Sequence, residues 1–264
     1  MSAASSLSST PRGTAGASGP QPATRRRRVI DAPTRMFHGL FALSFAGAWI
    51  TGDGEHWRLL HVTLGYVLAG LLVFRLVYGL VGPQPARLSV LWRKLTQLPS
   101  WLRGLAGVDG SGRPGILRTP SWLQGQAPLM GLAIAALLLG VVPLTLSGYA
   151  AYQAWGGEWL EEVHEVFGNL LLLVVLAHLA LIAGLSVLRR RNLAAPMVTG
   201  RVDGAGPDLV KHNRAWLATA LLGATLAFGY WQWQQAPAQD PQRTAVGSQP
   251  DAARPHGDRD DEDD

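Results

Sequence analysis

The sequence predicts an all-α integral membrane protein, a four-helix transmembrane bundle with an additional C-terminal transmembrane helix. Three observations predict this fold. The 264 residues are 48% hydrophobic and only 16% charged, which is too apolar for an ordinary soluble domain. Five segments are apolar over roughly the length that crosses a bilayer. Basic residues are concentrated in alternate connections between these segments.

The expected spans are residues 36–51, 59–81, 127–150, 163–188 and 215–231. The first and the fifth are on the short side. Four arginines at residues 25–28 precede the first apolar stretch, as in a secretory signal. That stretch is of spanning length and carries Arg35 and His38, so we expect a retained first helix rather than a cleaved signal.

The basic residues predict orientation, because cytoplasmic connections carry the excess of Lys and Arg. They lie before the first span, between the second and third, and between the fourth and fifth: Arg25, Arg26, Arg27, Arg28, Arg35, Arg87, Arg93, Lys94, Arg103, Arg113, Arg118, Arg189, Arg190, Arg191, Arg201, Lys211 and Arg214. We therefore expect a multi-pass protein of the bacterial inner membrane with a cytoplasmic N-terminus and a periplasmic C-terminus.

The chain divides into four parts. Residues 1–28 are expected to be a disordered, basic cytoplasmic N-terminus, and residues 29–202 to form the four-helix domain. Residues 203–233 would be a linker and the fifth helix, and residues 234–264 a disordered, acidic periplasmic tail. Between the second and third spans, leucines recur at helical spacing among basic residues, which predicts an interfacial amphipathic helix interrupted near Pro99.

Four histidines lie in or near the spans: His38, His61, His164 and His178. An ionisable side chain inside a bilayer is costly and usually faces the bundle, so each is a candidate site residue. His164 and His178 are separated by fourteen residues on one expected helix, roughly 21 Å of rise, and fall on nearly the same face. His61 would lie at the outer level with His164, and His38 at the inner level with His178.

Two facing imidazoles at one level are the geometry of bis-histidine haem ligation. The chain has no cysteine, which excludes covalent haem attachment through thioethers, iron–sulfur clusters and thiolate zinc sites. Gly65 and Gly168 each follow a histidine by four residues, where a missing side chain would let a flat ring approach the helix.

Arg75 is an intramembrane charge fourteen residues after His61. It would either bind a haem propionate at the inner level or extend to the inner lipid headgroups. Aromatic residues near the span ends are expected to form interfacial belts: Tyr66, Trp155, Trp159, Trp231 and Trp233. Pro143 is expected to kink the third span.

Several segments resemble, in order and spacing, the prokaryotic cytochrome b561 and nickel-iron hydrogenase b-type cytochrome family: IDAPTRMFHG, WRLLHVTLGYVLAGLLVFRLVYGLVG, WLEEVHEVFGNLLLLVVLAHL and RRRNLAAPMVTGR. The likeness covers about residues 29–202. It implies a four-helix membrane bundle with two b haems, ligated by His38, His61, His164 and His178. Two features depart from the family pattern: the stretch GQAPLMG has Gln126 in place of a polar landmark, and the fifth helix is an addition.

The resemblance implies a dihaem cytochrome that transfers electrons between the quinone pool and a periplasmic partner, either a c-type cytochrome or an enzyme subunit such as that of a hydrogenase. Whether it is itself an enzyme stays open. By analogy, quinone would dock near the inner haem, Arg35, Arg75 and the amphipathic helix. Glu158, Glu161, Glu162 and the acidic tail would steer a basic partner.

Two other functions fit the same residues. The protein would stand alone as a quinone-linked oxidoreductase acting on a small molecule such as superoxide. In a haem-free reading, the histidines would line a proton or metal-ion path in a transporter, although the spans lack the carboxylates that proton relays generally need. The lipid bilayer is a further expected partner. A homodimer is possible on the sequence alone, and no nucleic-acid binding is expected.

Overall fold

The computed structural model describes residues 26–105 and 126–235. Five long helices dominate it: α1 (Ala32–Ile50), α2 (Arg58–Val81), α5 (Gln126–Tyr152), α6 (Glu158–Arg189) and α8 (Ala215–Gln235). The shorter helices are α3 (Leu88–Thr96), α4 (Leu98–Leu105) and α7 (Ala195–Thr199), and single 3-10 turns occur at Glu55–Trp57 and Gln84–Ala86. Two three-residue strands, β1 (Arg26–Arg28) and β2 (Arg201–Asp203), form an antiparallel pair.

Local sequence explains where α1 begins. Asp31 is its N-cap, and the side chain accepts a hydrogen bond of 3.3 Å from the Thr34 amide. Pro33 lies in the first turn, where its missing N–H is not needed. The helix ends at Thr51, whose amide donates to the carbonyl of Gly47.

Three helices are long and apolar enough to cross a membrane: Arg58–Val81, Ala127–Tyr152 and Glu158–Arg189. They expose large apolar side chains, such as Val73, Leu139 and Leu173, each more than 60% exposed. Such surfaces are stable in lipid and unfavourable in water. The first and fifth expected spans are helical as α1 and α8 but are not among these three. The count of four helices plus one therefore remains an expectation.

The helices pack in a simple order. α6 packs against α5, α2 packs against both α1 and α5, and α8 packs chiefly on α1. The main core contains Phe45, Leu68, Leu72, Val141, Leu144 and Leu171. Phe45, Leu68 and Leu171 each lie seven residues from one of the predicted histidine ligands. This core layer therefore separates the two predicted histidine levels.

The two ends of the bundle differ in charge. The end where α1 begins and α6 finishes carries β1 and β2 together with Arg190 and Arg191, and we call it the basic end. At the opposite end α6 begins with Glu158, Glu161 and Glu162, and we call it the acidic end.

One expectation needs correction. Disorder up to residue 28 is wrong for its last three residues, because Arg26–Arg28 pair with Arg201–Asp203 in a small sheet. Apart from this short pair, the described residues form helices and their connections, and the all-α class is confirmed. The pairing is reinforced by an ion pair of 2.9 Å between Arg26 Nε and Asp203 Oδ1. A charge run is easily taken for a solvated tail, and the partner strand lies more than 170 residues away in the chain.

The interrupted amphipathic segment is confirmed as two helices, α3 and α4, with Gln97 between them. α3 packs on α5 and on the end of α2. α5 is assigned as one continuous helix through Pro143, and its described range begins at Gln126. The expectations for the first 25 residues, for Arg113 and Arg118, and for the acidic tail beyond residue 235 lie outside the described residues.

Candidate functional site

His61 and His164 meet at the acidic end of the bundle. His61 lies in the first turn of α2 and His164 in the second turn of α6. Their ring centroids are 5.9 Å apart, and the ring planes are nearly perpendicular at 83°. Both rings are partly buried. Two helices that are distant in sequence thus bring two imidazoles next to each other.

Each of these rings is oriented by a backbone carbonyl. His61 Nδ1 lies 2.8 Å from the carbonyl oxygen of Ala48, and His164 Nδ1 lies 2.9 Å from that of Leu144. A carbonyl oxygen can only accept a hydrogen bond, so both Nδ1 atoms carry the proton. Nε2 of each neutral ring is therefore the nitrogen with a free lone pair. Such an outer hydrogen bond is the usual way in which proteins orient a metal-ligating histidine.

The position of Ala48 explains its free carbonyl. It belongs to the last turn of α1, where helix carbonyls lack an amide partner four residues ahead. The amide of Gly52 donates instead to Trp49, which leaves the oxygen of Ala48 to accept from His61 and from the Thr51 hydroxyl. The C-terminal end of α1 thereby fixes the orientation of the His61 ring.

The spacing of this pair fits one metal ion between two imidazoles. With metal–nitrogen bonds of about 2 Å, two rings that bind one ion from opposite sides have centroids roughly 6 Å apart. The observed 5.9 Å agrees with this separation. The donors also fit, because neutral imidazole nitrogens are common ligands of haem iron, and His61 and His164 would supply one each.

Open space lies beside the two predicted glycines. Apart from the helix backbone and the adjoining residues, a Cβ atom added to Gly65 would have no atom within 4 Å, and one added to Gly168 would touch only Leu144 Cδ1, at 3.8 Å. Gly65 is one turn along α2 from His61. Both glycines therefore leave open space on their helices one turn beyond a predicted ligand.

The second pair, at the basic end, is looser. His38 is exposed on α1, and His178 is partly buried on α6. The two are near enough to interact electrostatically. His178 Nδ1 is buried without a hydrogen-bond partner among the described residues. An unpaired buried nitrogen is costly, so this ring is suited to a ligand that supplies the missing interaction.

A comparison with known families identifies the family of this chain. The family model of the prokaryotic cytochrome b561 matches residues 29–200, which include all four histidines. The chain belongs to this family. It is a bacterial membrane b-type cytochrome that functions in electron transfer, and family membership implies binding of b-type haem. No curated protein and no solved structure matches the chain. α8 lies outside the matched residues.

Arg75 of the cytochrome is engaged with the protein itself. Its Nη1 donates to the carbonyl oxygen of Ala86 at 2.9 Å, in the 3-10 turn that follows α2. The side chain thus extends toward the basic end, as a snorkelling arginine would, but its observed partner is a backbone carbonyl. Arg35 is engaged in the same way, with Nη1 donating to Val198 at 2.7 Å.

The site of the cytochrome contains residues that sequence reasoning missed. A Cβ atom at Gly148 would lie 2.6 Å from Cε1 of His164, so glycine is needed there for the ring to pack on α5. Ser147 Oγ lies 3.5 Å from His164 Nδ1. The adjacent small residues Ser147 and Gly148 in an apolar span were the available signal. Nothing in the sequence could have singled out the carbonyls of Ala48 and Leu144, because every residue has a backbone carbonyl.

Within the described residues, no group of three or more His, Asp or Glu side chains is arranged to hold a metal ion. Ligation by two histidines at each level requires no such group.

Proposed function

We propose that this protein is a dihaem cytochrome b in which His61 and His164 ligate one haem and His38 and His178 ligate the other. The observation that carries the proposal is the first pair, whose ring centroids lie 5.9 Å apart and whose Nδ1 atoms both donate hydrogen bonds to backbone carbonyls. The bound haems would supply one-electron redox chemistry at each level.

The residues around the ligands have defined roles. The carbonyls of Ala48 and Leu144 hold the imidazoles in one tautomer and increase their basicity as ligands. Gly65, Gly168 and Gly148 provide clearance, the first two for the cofactor and the third for the ring of His164. Arg75 secures the turn after α2 through Ala86, and we assign it no direct contact with a propionate.

The two levels are supported by the continuity of α6. His164 and His178 lie in one uninterrupted helix, which puts roughly 21 Å of rise between them. The apolar core with Leu171 lies between the two levels. This arrangement suits transfer of an electron through the membrane interior from one level to the other.

The charge distribution supports an orientation with the basic end in the cytoplasm, since cytoplasmic connections favour Lys and Arg. On this orientation the cytochrome exchanges electrons between the quinone pool and a periplasmic redox partner, either a c-type cytochrome or an enzyme subunit such as that of a hydrogenase. Exposed Trp155 and Trp159 and three glutamates surround the acidic end, where a basic partner would dock.

The test is the haem content of the purified cytochrome and of single His→Ala variants. We expect two b haems per wild-type chain in reduced-minus-oxidised spectra. His61→Ala and His164→Ala should each lose the same haem, because either change would remove one of the two histidines proposed to hold it. His38→Ala and His178→Ala should lose the other. His56→Ala is the matched control, since His56 is exposed in the turn before α2.

Different results would contradict different parts of the proposal. No b-type absorbance would end it and leave the transporter reading. If His61→Ala and His178→Ala removed the same haem, the assignment of levels would be wrong. Rapid oxidation or reduction by superoxide, with no periplasmic protein recovered by cross-linking, would favour the stand-alone oxidoreductase.

A further inference from the structure

A cavity of about 240 Å³ opens at the basic end, between the end of α2 and the start of α8. Its lining residues are Pro83, Leu209, Val210, Lys211, His212 and Arg214. Of these described residues, two are permanent cations, one is a histidine and none is acidic. The cavity therefore suits a small anion next to an apolar surface.

The wall of this cavity is held rigidly by the N-terminal segment. The Leu209 amide donates to the carbonyl of Arg28 at 2.9 Å, and the Arg28 amide donates to Asp208 Oδ1 at 2.7 Å. The Ala32 amide donates to the carbonyl of Asn213 at 3.2 Å. These bonds fix the chain on both sides of Lys211 and His212, so little ordering is left for a ligand to impose.

Arg214 is strained at the edge of the cavity. Its φ of 45° lies in the left-handed region, which is unfavourable for a residue with a side chain. Nη1 donates to the Tyr78 hydroxyl at 3.4 Å, so the guanidinium is oriented while other N–H groups stay available. Strain of this kind is often retained where it positions a group for binding.

We propose that this cavity binds the phosphate group of an anionic phospholipid. α2 ends at Val81 and α8 begins at Ala215, so the cavity lies at the depth of lipid headgroups if both helices span the bilayer. Leu80 and Val81, at the end of α2, are 70% and 73% exposed, and Leu209 of the cavity wall is 53% exposed. These apolar side chains would contact the acyl chains of a lipid. Inorganic phosphate has no acyl chains, so the apolar surface favours a phospholipid. Basic pockets at helix ends commonly recognise such lipids.

The binding test uses the haem-loaded, full-length cytochrome and phosphatidylglycerol as the probe. Native mass spectrometry counts the bound lipid over a titration, beside an equal titration with phosphatidylcholine. The double variant Lys211→Gln/His212→Gln should weaken phosphatidylglycerol binding about tenfold, because it removes charge-assisted hydrogen bonds. Arg191→Gln is the matched control, since it removes one exposed charge from the same end outside the cavity.

The proposal is overturned if phosphatidylcholine binds as tightly, if Arg191→Gln causes the same loss, or if inorganic phosphate displaces the lipid at equal concentration. A second measurement covers a variant that fails to fold. Phosphatidylglycerol should raise the thermal midpoint of the wild-type protein more than phosphatidylcholine does, and an equal rise would also contradict the proposal. Neither result depends on the ligand assignment of the haems.

Discussion

At the scale of single residues, the site is defined by which nitrogen of each histidine is free. Nδ1 of His61 and of His164 each donates a hydrogen bond to a carbonyl of a neighbouring helix, and this leaves Nε2 available to bind a ligand. Each carbonyl holds its ring in one tautomer and one orientation. Under the proposed function, Nε2 of each ring would bind the haem iron.

Gly65→Ala tests whether a cofactor fills the space beside this pair. Apart from the helix backbone and the adjoining residues, no described protein atom lies within 4 Å of the added methyl group, so the folded protein should tolerate it. A haem in that space would be overpacked, which typically costs about 1–3 kcal/mol, and haem at the acidic end should bind about tenfold more weakly. The measurement is haem loss to apomyoglobin.

The control is Gly70→Ala, on the same helix and equally free of neighbours, but exposed. Equal haem loss from both variants would mean that the change acts through the helix. No loss from Gly65→Ala would show that the ring does not lie against this face of α2.

At the scale of elements, α6 is the helix that carries two of the proposed haem ligands, His164 and His178. It runs unbroken over 32 residues and packs chiefly on α5. Because His164 and His178 share a face, the helix must keep its register between them. His38 on α1 and His61 on α2 would each pair with a histidine of α6.

Insertion of one alanine after Leu173 should disrupt this register. The insertion rotates one histidine about 100° relative to the other, so only one of them stays aligned with its partner. We expect the haem content to fall from two to about one per chain in pyridine haemochrome spectra. The same insertion after Leu181, beyond His178, should leave both haems. Two haems in the first variant would mean that the helix does not bind both.

At the scale of the whole molecule, a buried polar network joins three helices at the basic end. Asp31, only 1% exposed, accepts a hydrogen bond from the Tyr78 hydroxyl, and Arg214 donates to the same hydroxyl. The network links the cap of α1, the body of α2 and the start of α8. α8 thus belongs to the bundle, although it lies outside the residues that match the family.

Tyr78→Phe should destabilise the whole bundle. Phenylalanine keeps the ring that stacks on Phe74 but leaves a carboxylate oxygen of Asp31 buried without its donor. The loss of a hydrogen bond to a buried charged group costs about 1–3 kcal/mol. The measurement is the free energy of unfolding in mixed micelles with increasing dodecyl sulfate. Tyr230→Phe, at a residue 65% exposed on α8, should change it little, and an equal effect would contradict the role of the network.

The sequence by itself predicted the long helices, the four histidine candidates and the proximity of His61 to His164. Apolar periodicity and span length are local properties, and fourteen residues on one helix place two histidines on one face whatever surrounds them. The cysteine-free composition restricted the ligands in the same direct way. Family membership then rested on the order and spacing of these motifs.

Only the tertiary structure decided which groups support the histidines. The carbonyls of Ala48 and Leu144, the clearance at Gly148, the partner of Arg75 and the β1–β2 pair all depend on segments distant in the chain. Every residue has a backbone carbonyl, so the sequence does not indicate which one accepts a hydrogen bond. The segment Arg26–Arg28 finds its partner strand only in the folded chain. The distance between two residues on one helix follows from their separation in the chain, whereas hydrogen-bond partners on different helices depend on how the helices pack.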